Sequence, residues 1–98
     1  MTRGPLFRYA ARMANPAPPQ IDEAMAHARD AVRLAPKLAA AHHLLGRLLV
    51  EDGDLPAAIA EYRVATELDP TAPEFFDDLA AAYASNGQIA LAITTGRQ

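Results

Sequence analysis

The 98-residue chain is 51% apolar, but alanine supplies 23 of its residues, so it can build one small domain with a modest core. It has no cysteine, which excludes disulfides, thiolate metal sites and a cysteine nucleophile. Residues 1–19 carry Arg3, Arg8 and Arg12 and no acid, whereas residues 20–98 carry all twelve acids against six bases. Such an acidic body repels phosphate backbones and argues against nucleic acid as a partner.

The N-terminal arginines precede no apolar run of the length that a secretory signal needs, and no stretch is long enough to span a membrane. A cytoplasmic location is the expectation. A short amphipathic stretch, Leu6 to Ala14, is followed by Asn15-Pro16-Ala17-Pro18-Pro19, which cannot be helix interior because proline removes donors and fixes φ. From Ile21 to Leu34 the apolar residues Ile21, Ala24, Met25, Ala28, Ala31, Val32 and Leu34 fall at helical spacing. Asp22 and Glu23 begin that run, Arg33 ends it in keeping with the helix dipole, and Pro36 stops it.

A second helix is predicted from about Leu38 to Glu51, ending at Asp52-Gly53-Asp54, where Gly53 can take the left-handed conformation. Asp54 is placed to cap a third helix over Leu55 to Leu68, with Pro56 in its first turn. Asp69-Pro70 closes it. Thr71-Ala72-Pro73-Glu74 then reads as a capping box for a fourth helix from Pro73 to Ser85. Asn86-Gly87 ends the fourth, and a fifth begins near Ile89. Connections this short force successive helices to lie antiparallel.

The same elements recur at a fixed period of 34 residues. Ala24, Ala58 and Ala92 form one series; Leu34 with Leu68, Pro36 with Pro70, Leu45 with Leu79, and Gly53 with Gly87 form others. A period of this length in helix-compatible residues predicts stacked helical hairpins, each burying its stripe on the next. The unit from Ala39 to Ala72 reads His42, Leu45-Gly46, Leu49, Ala58, Tyr62, Ala65 and Leu68-Asp69-Pro70. In this register it resembles a tetratricopeptide repeat. The next unit gives Phe76, Leu79-Ala80, Tyr83, Gly87, Ala92 and Ile93, and the preceding one shows only its second helix, with Ala24, Ala28, Ala31, Leu34 and Pro36. His42 departs from the pattern, standing where the family has an aromatic.

The resemblance implies an all-α fold of antiparallel hairpins stacked as a short right-handed solenoid. Residues 1–19 would be a degenerate or flexible lead-in. Residues 20–38 would form the second helix of an incomplete repeat, 39–72 a complete repeat, and 73–98 a truncated one. Gly46, Ala58, Ala65, Ala80 and Ala92 would let helices approach closely, while Tyr62, Phe76 and Tyr83 fill the gaps between units. In this family the first helix of each hairpin lines a concave groove. Its ligand-facing positions fall on Ala40, His43, Leu44, Arg47, Val50 and Glu51, and in the next unit on Glu74, Asp77, Asp78, Ala81, Ala84 and Ser85.

No constellation in the sequence suggests catalysis. His42 and His43 are adjacent, so on a helix they point about 100° apart and cannot chelate one metal from the same face. Glu51-Asp52-Gly53-Asp54 lacks the alternating ligands and distal glutamate of a calcium loop and is read as a helix terminus. Asp77 and Asp78 are neighbours on an exposed helix with no nucleophile or oxyanion turn beside them. The expectation is therefore a non-catalytic module without metal or cofactor that holds a protein or peptide. Acids at Glu74, Asp77 and Asp78 favour a neutral or basic partner. The alternative is that the repeats recruit substrates for a catalytic domain, such as a transferase, attached in a longer chain. The imperfect terminal units also suggest self-association through the last hairpin, around Ile89, Leu91 and Ile93.

Overall fold

The computed structural model describes residues 19–97. The predicted stretch Leu6 to Ala14 and the proline segment before Pro19 lie outside the described residues. Five helices follow in order: α1 (Pro19–Leu34), α2 (Ala39–Glu51), α3 (Leu55–Leu68), α4 (Pro73–Ser85) and α5 (Ile89–Gly96). Consecutive helices pack on one another, α1 on α2, α2 on α3, α3 on α4 and α4 on α5, through connections of three or four residues. The described residues are thus all-α, with no strand.

Helix ends are set by the residues that mark them in the sequence, with two exceptions. After α2, Gly53 takes φ +84°, its N–H bonds Val50 O at 3.0 Å and that of Asp54 bonds Leu49 O at 2.9 Å. Gly87 repeats this paired closure after α4, with φ +80° and bonds from Gly87 to Ala84 O and from Gln88 to Tyr83 O. Both places require the left-handed region, which a side chain disfavours. Asp54 caps α3 by accepting from Ala57 N–H at 3.2 Å.

The first exception is α1, which opens at Pro19, ahead of the expected Ile21. A proline is tolerated at a helix start because its missing N–H would have no helical acceptor there. The second is the capping box of α4, which does not form. Ala72 is the N-cap residue and no side chain bonds the first turn. Thr71 stands one position too early, and its hydroxyl and N–H both donate to Asp69 Oδ1, at 2.6 and 3.1 Å. Those bonds, the hydroxyl's first, hold the Asp69 carboxyl below its usual range.

The core is split in two. One cluster joins Met25, Ala28, Leu45, Leu49 and Ala58; the other joins Ile59, Tyr62, Leu79, Ala82 and Tyr83. Their nearest members, Ala58 and Ile59, are successive residues of α3, so that helix is the wall shared by both. Small residues permit the contact: Ala28, Ala58 and Ala65 are at most 1% exposed.

His42, which stands where the family has an aromatic, is buried at 7% exposed. Its Nδ1 lies 2.8 Å from Glu61 Oε1 on α3, and its Nε2 lies 2.7 Å from Pro36 O in the turn before α2. Both partners accept, so the doubly protonated ring satisfies both. Burial is the largest single influence and opposes the charge, but the Glu61 bond, the Pro36 bond and the attraction of Glu61 together raise the pKa above the ordinary 6.5. A group raised on folding stabilises fully below its unfolded pKa and ceases to do so as pH rises through the folded one. The melting temperature should therefore fall above about pH 6.5 through this group, and His42→Phe should lessen that fall. An unchanged pH profile in the variant would remove His42 from the account.

Candidate functional site

A trough runs between α2 and α4, whose backbones stand farther apart than those of consecutive helices. A groove section of about 350 Å³ is lined by Leu44, Arg47, Leu48, Val50, Glu51, Tyr62 and Asp78. A smaller section of about 160 Å³ continues it along Val50, Leu55, Tyr62, Asp78, Ala81, Ala82 and Ser85. Val50, Tyr62 and Asp78 belong to both, so the two sections form one trough.

The helical period explains this lining. Leu44, Arg47, Leu48 and Glu51 recur at three- and four-residue steps on α2, and Asp78, Ala81, Ala82 and Ser85 do so on α4. Leu44 is 48% exposed and Val50 39%, large apolar side chains left open to solvent beside Arg47 and Glu51.

Of the sequence-derived positions, Leu44, Arg47, Val50, Glu51, Asp78, Ala81 and Ser85 line the trough, and Ala40 and Ala84 do not. Glu74 and Asp77 are exposed on α4 but do not line it. His43 does not line it, and its side chain is only 15% exposed. Its ring sits 4.5 Å from that of Phe75 and 5.5 Å from that of Tyr62, and its Nε2 bonds Asp78 Oδ2 at 2.6 Å. Asp78, expected from the sequence at a ligand-facing position of the groove, is thus also the partner of His43.

Sequence reasoning missed two aromatic contributors. Tyr62 was assigned to the gap between units, yet it also forms the trough floor. Its hydroxyl pKa is pushed up to about 12, chiefly by burial, then by the nearby Asp78 carboxylate, with Arg47 opposing. Phe75 is 7% exposed, whereas Phe76, the residue in pattern register, is only half-buried. Phe75 stands one residue before that register, and the signal for it was the aromatic pair itself.

Residues 46–87 match the family model of the TPR repeat. That segment belongs to the tetratricopeptide repeat family. The matched segment runs from Gly46 in α2 through α3 to Gly87 after α4, so it contains the shared wall and most of the trough. None of the curated proteins matches the chain. TPR repeats generally mediate protein–protein interaction. Among the described residues, no group of three His, Asp or Glu side chains is arranged to hold a metal ion. Nor is any described helix long and apolar enough to cross a membrane.

Proposed function

We propose that this TPR chain is a non-catalytic, cytoplasmic module that holds a peptide segment of another protein in the trough between α2 and α4. The observation that carries the reading is the exposed apolar pair Leu44 and Val50 on a trough whose polar groups, Arg47, Glu51 and Asp78, line the same walls. An apolar side chain of the partner would cover Leu44 and Val50, and Arg47 would donate to its backbone carbonyls. Glu74 and Asp77 outside the trough, with Asp78 within it, favour a neutral or basic segment over an acidic one.

Panning a random peptide library on the full chain tests this. Selected peptides should shift the amide signals of Leu44, Arg47, Val50 and Ala81. Reversing Glu74, Asp77 and Asp78 to lysine should weaken capture of a basic peptide by about tenfold at low salt, as three partly exposed charges would. The difference should shrink at 1 M salt, where screening acts within a few ångströms. Peptides that bind tightly without touching the trough would sink the reading.

A second observation supports association between copies. Ile89, Leu91 and Ile93 on α5 are 55, 46 and 54% exposed, three large apolar side chains left open on one short helix. Sedimentation of the free chain over a concentration series reads this directly.

A further inference from the structure

The closure of α4 rests on Asn86-Gly87, and both residues are exposed. An asparagine before a glycine is prone to attack by its own backbone, because glycine sets no side chain beside the attacking nitrogen. In that reaction the Gly87 nitrogen loses its proton to solvent and bonds Cγ of Asn86, and the side-chain amide leaves as ammonia. Water then opens the five-membered imide at either carbonyl. One opening gives aspartate; the other gives isoaspartate, whose side-chain carbon has joined the main chain. Water is the only co-reactant, and nothing is oxidised or reduced.

The folded closure opposes the first step at each atom it uses. Asn86 has ψ 7°, which eclipses the Gly87 nitrogen with the Asn86 nitrogen and leaves it about 120° of rotation from Cβ. The Gly87 N–H donates to Ala84 O at 3.1 Å and that of Gln88 to Tyr83 O at 2.8 Å. The leaving amide is engaged as well, with Asn86 Nδ2 donating to Gln88 Oε1 at 3.0 Å. What anchors this arrangement on its far side is α5, and α5 is weakly held. It has eight residues, a length at which an isolated helix is marginal in water. Thr95 is its one buried residue, and Ala92 packs half-buried on the second core cluster.

We propose that Asn86 is a self-modification site gated by the last hairpin, converting to isoaspartate when α5 lifts off α4 and spared while the two are closed. The 34-residue repeat supplies an internal comparison. Asp52-Gly53 holds the same place after α2, with the same positive φ and the same paired bonds. An aspartate is therefore accommodated at this cap, and conversion of Asn86 to ordinary aspartate leaves the closure intact. Isoaspartate does not, because the added main-chain carbon displaces Gly87 and Gln88 from Ala84 O and Tyr83 O. A transient opening of α5 is thereby made permanent.

The full chain tests this without any partner. It is held near neutral pH, either folded or unfolded in guanidinium chloride, and Asn86 is followed by peptide mass spectrometry that separates isoaspartate from aspartate. The unfolded chain should convert at least about tenfold faster, since the reaction follows the population of an open state. Ala92→Gly, which weakens α5 without touching the pair, should speed the folded chain about fivefold, the change that glycine's helix penalty implies. Asn86→Gln would need a six-membered ring and should convert far more slowly than the parent. Asn86→Asp should keep the parent's urea midpoint, whereas the purified isoaspartate form should fall below it. Equal rates in the folded and unfolded chains, or no conversion in either, would overturn the site. An Ala92→Gly variant that converts no faster than the parent would overturn the gating by α5. An Asn86→Asp variant as unstable as the isoaspartate form would overturn the role given to the added carbon.

Discussion

Replacing Gly46 with leucine is expected to cost the protein more than about 3 kcal/mol, a large part of the 5–15 kcal/mol typical of a folded domain. A Cβ at Gly46 would lie 2.6 Å from both Cδ1 and Cε1 of Tyr62 and 3.3 Å from the carbonyl oxygen of Ala58. The ring cannot swing clear, because Tyr62 is 4% exposed and packs on Ile59, Leu79, Ala82 and Tyr83. Helix propensity acts in the opposite direction, since alanine is better than glycine by about 1 kcal/mol in a helix interior. The milder Gly46→Ala change therefore measures the contact itself. Overpacking of about 1–3 kcal/mol should outweigh the propensity gain and lower the urea midpoint with little change in slope. A raised midpoint in Gly46→Ala would show that the ring has room to yield.

Tyr62→Ala should cost about 3–5 kcal/mol, the range for removing a buried aromatic ring. The same ring meets Gly46, forms part of the second core cluster and floors the trough, so its loss opens a void on three sides. Tyr62→Phe separates ring from hydroxyl. The hydroxyl has no hydrogen-bond partner among the described residues, and the phenol stays protonated to about pH 12, so its removal should change stability by less than about 1 kcal/mol. Equilibrium urea unfolding of the two variants decides the matter. A Phe variant as damaged as the Ala variant would mean that the hydroxyl, not the ring, carries the contact.

The helices were legible because their signals are local. Gly53 and Gly87 occupy positions that glycine suits, Asp54 stands directly before α3, and the apolar spacing of α1 to α4 is helical. The capping box was misread because the motif describes a spacing and not a competition. Asp69, held two residues before Thr71 by the end of α3, takes the hydroxyl first. Much of the trough was also legible, since the period assigns a face to each residue of α2 and α4. What the period does not encode is pairing between faces. That His43 would meet Asp78, 35 positions along the chain, depends on how far apart α2 and α4 settle. Likewise Phe75 and Phe76 are equivalent in composition, and only the packing against His43 decides which is buried.

The division of the core at α3 has a consequence for how changes in this protein combine. Met25 and Leu45 belong to one cluster, Leu79 and Tyr83 to the other, and the clusters adjoin at Ala58 and Ile59. Losses of stability on the two sides should therefore sum, as they do for sites without shared partners. Substitutions in α3 should break that sum, because each is felt by both neighbours at once. A lineage altering the outer hairpins would be free to change one side without compensating on the other, while α3 is bound to the demands of both.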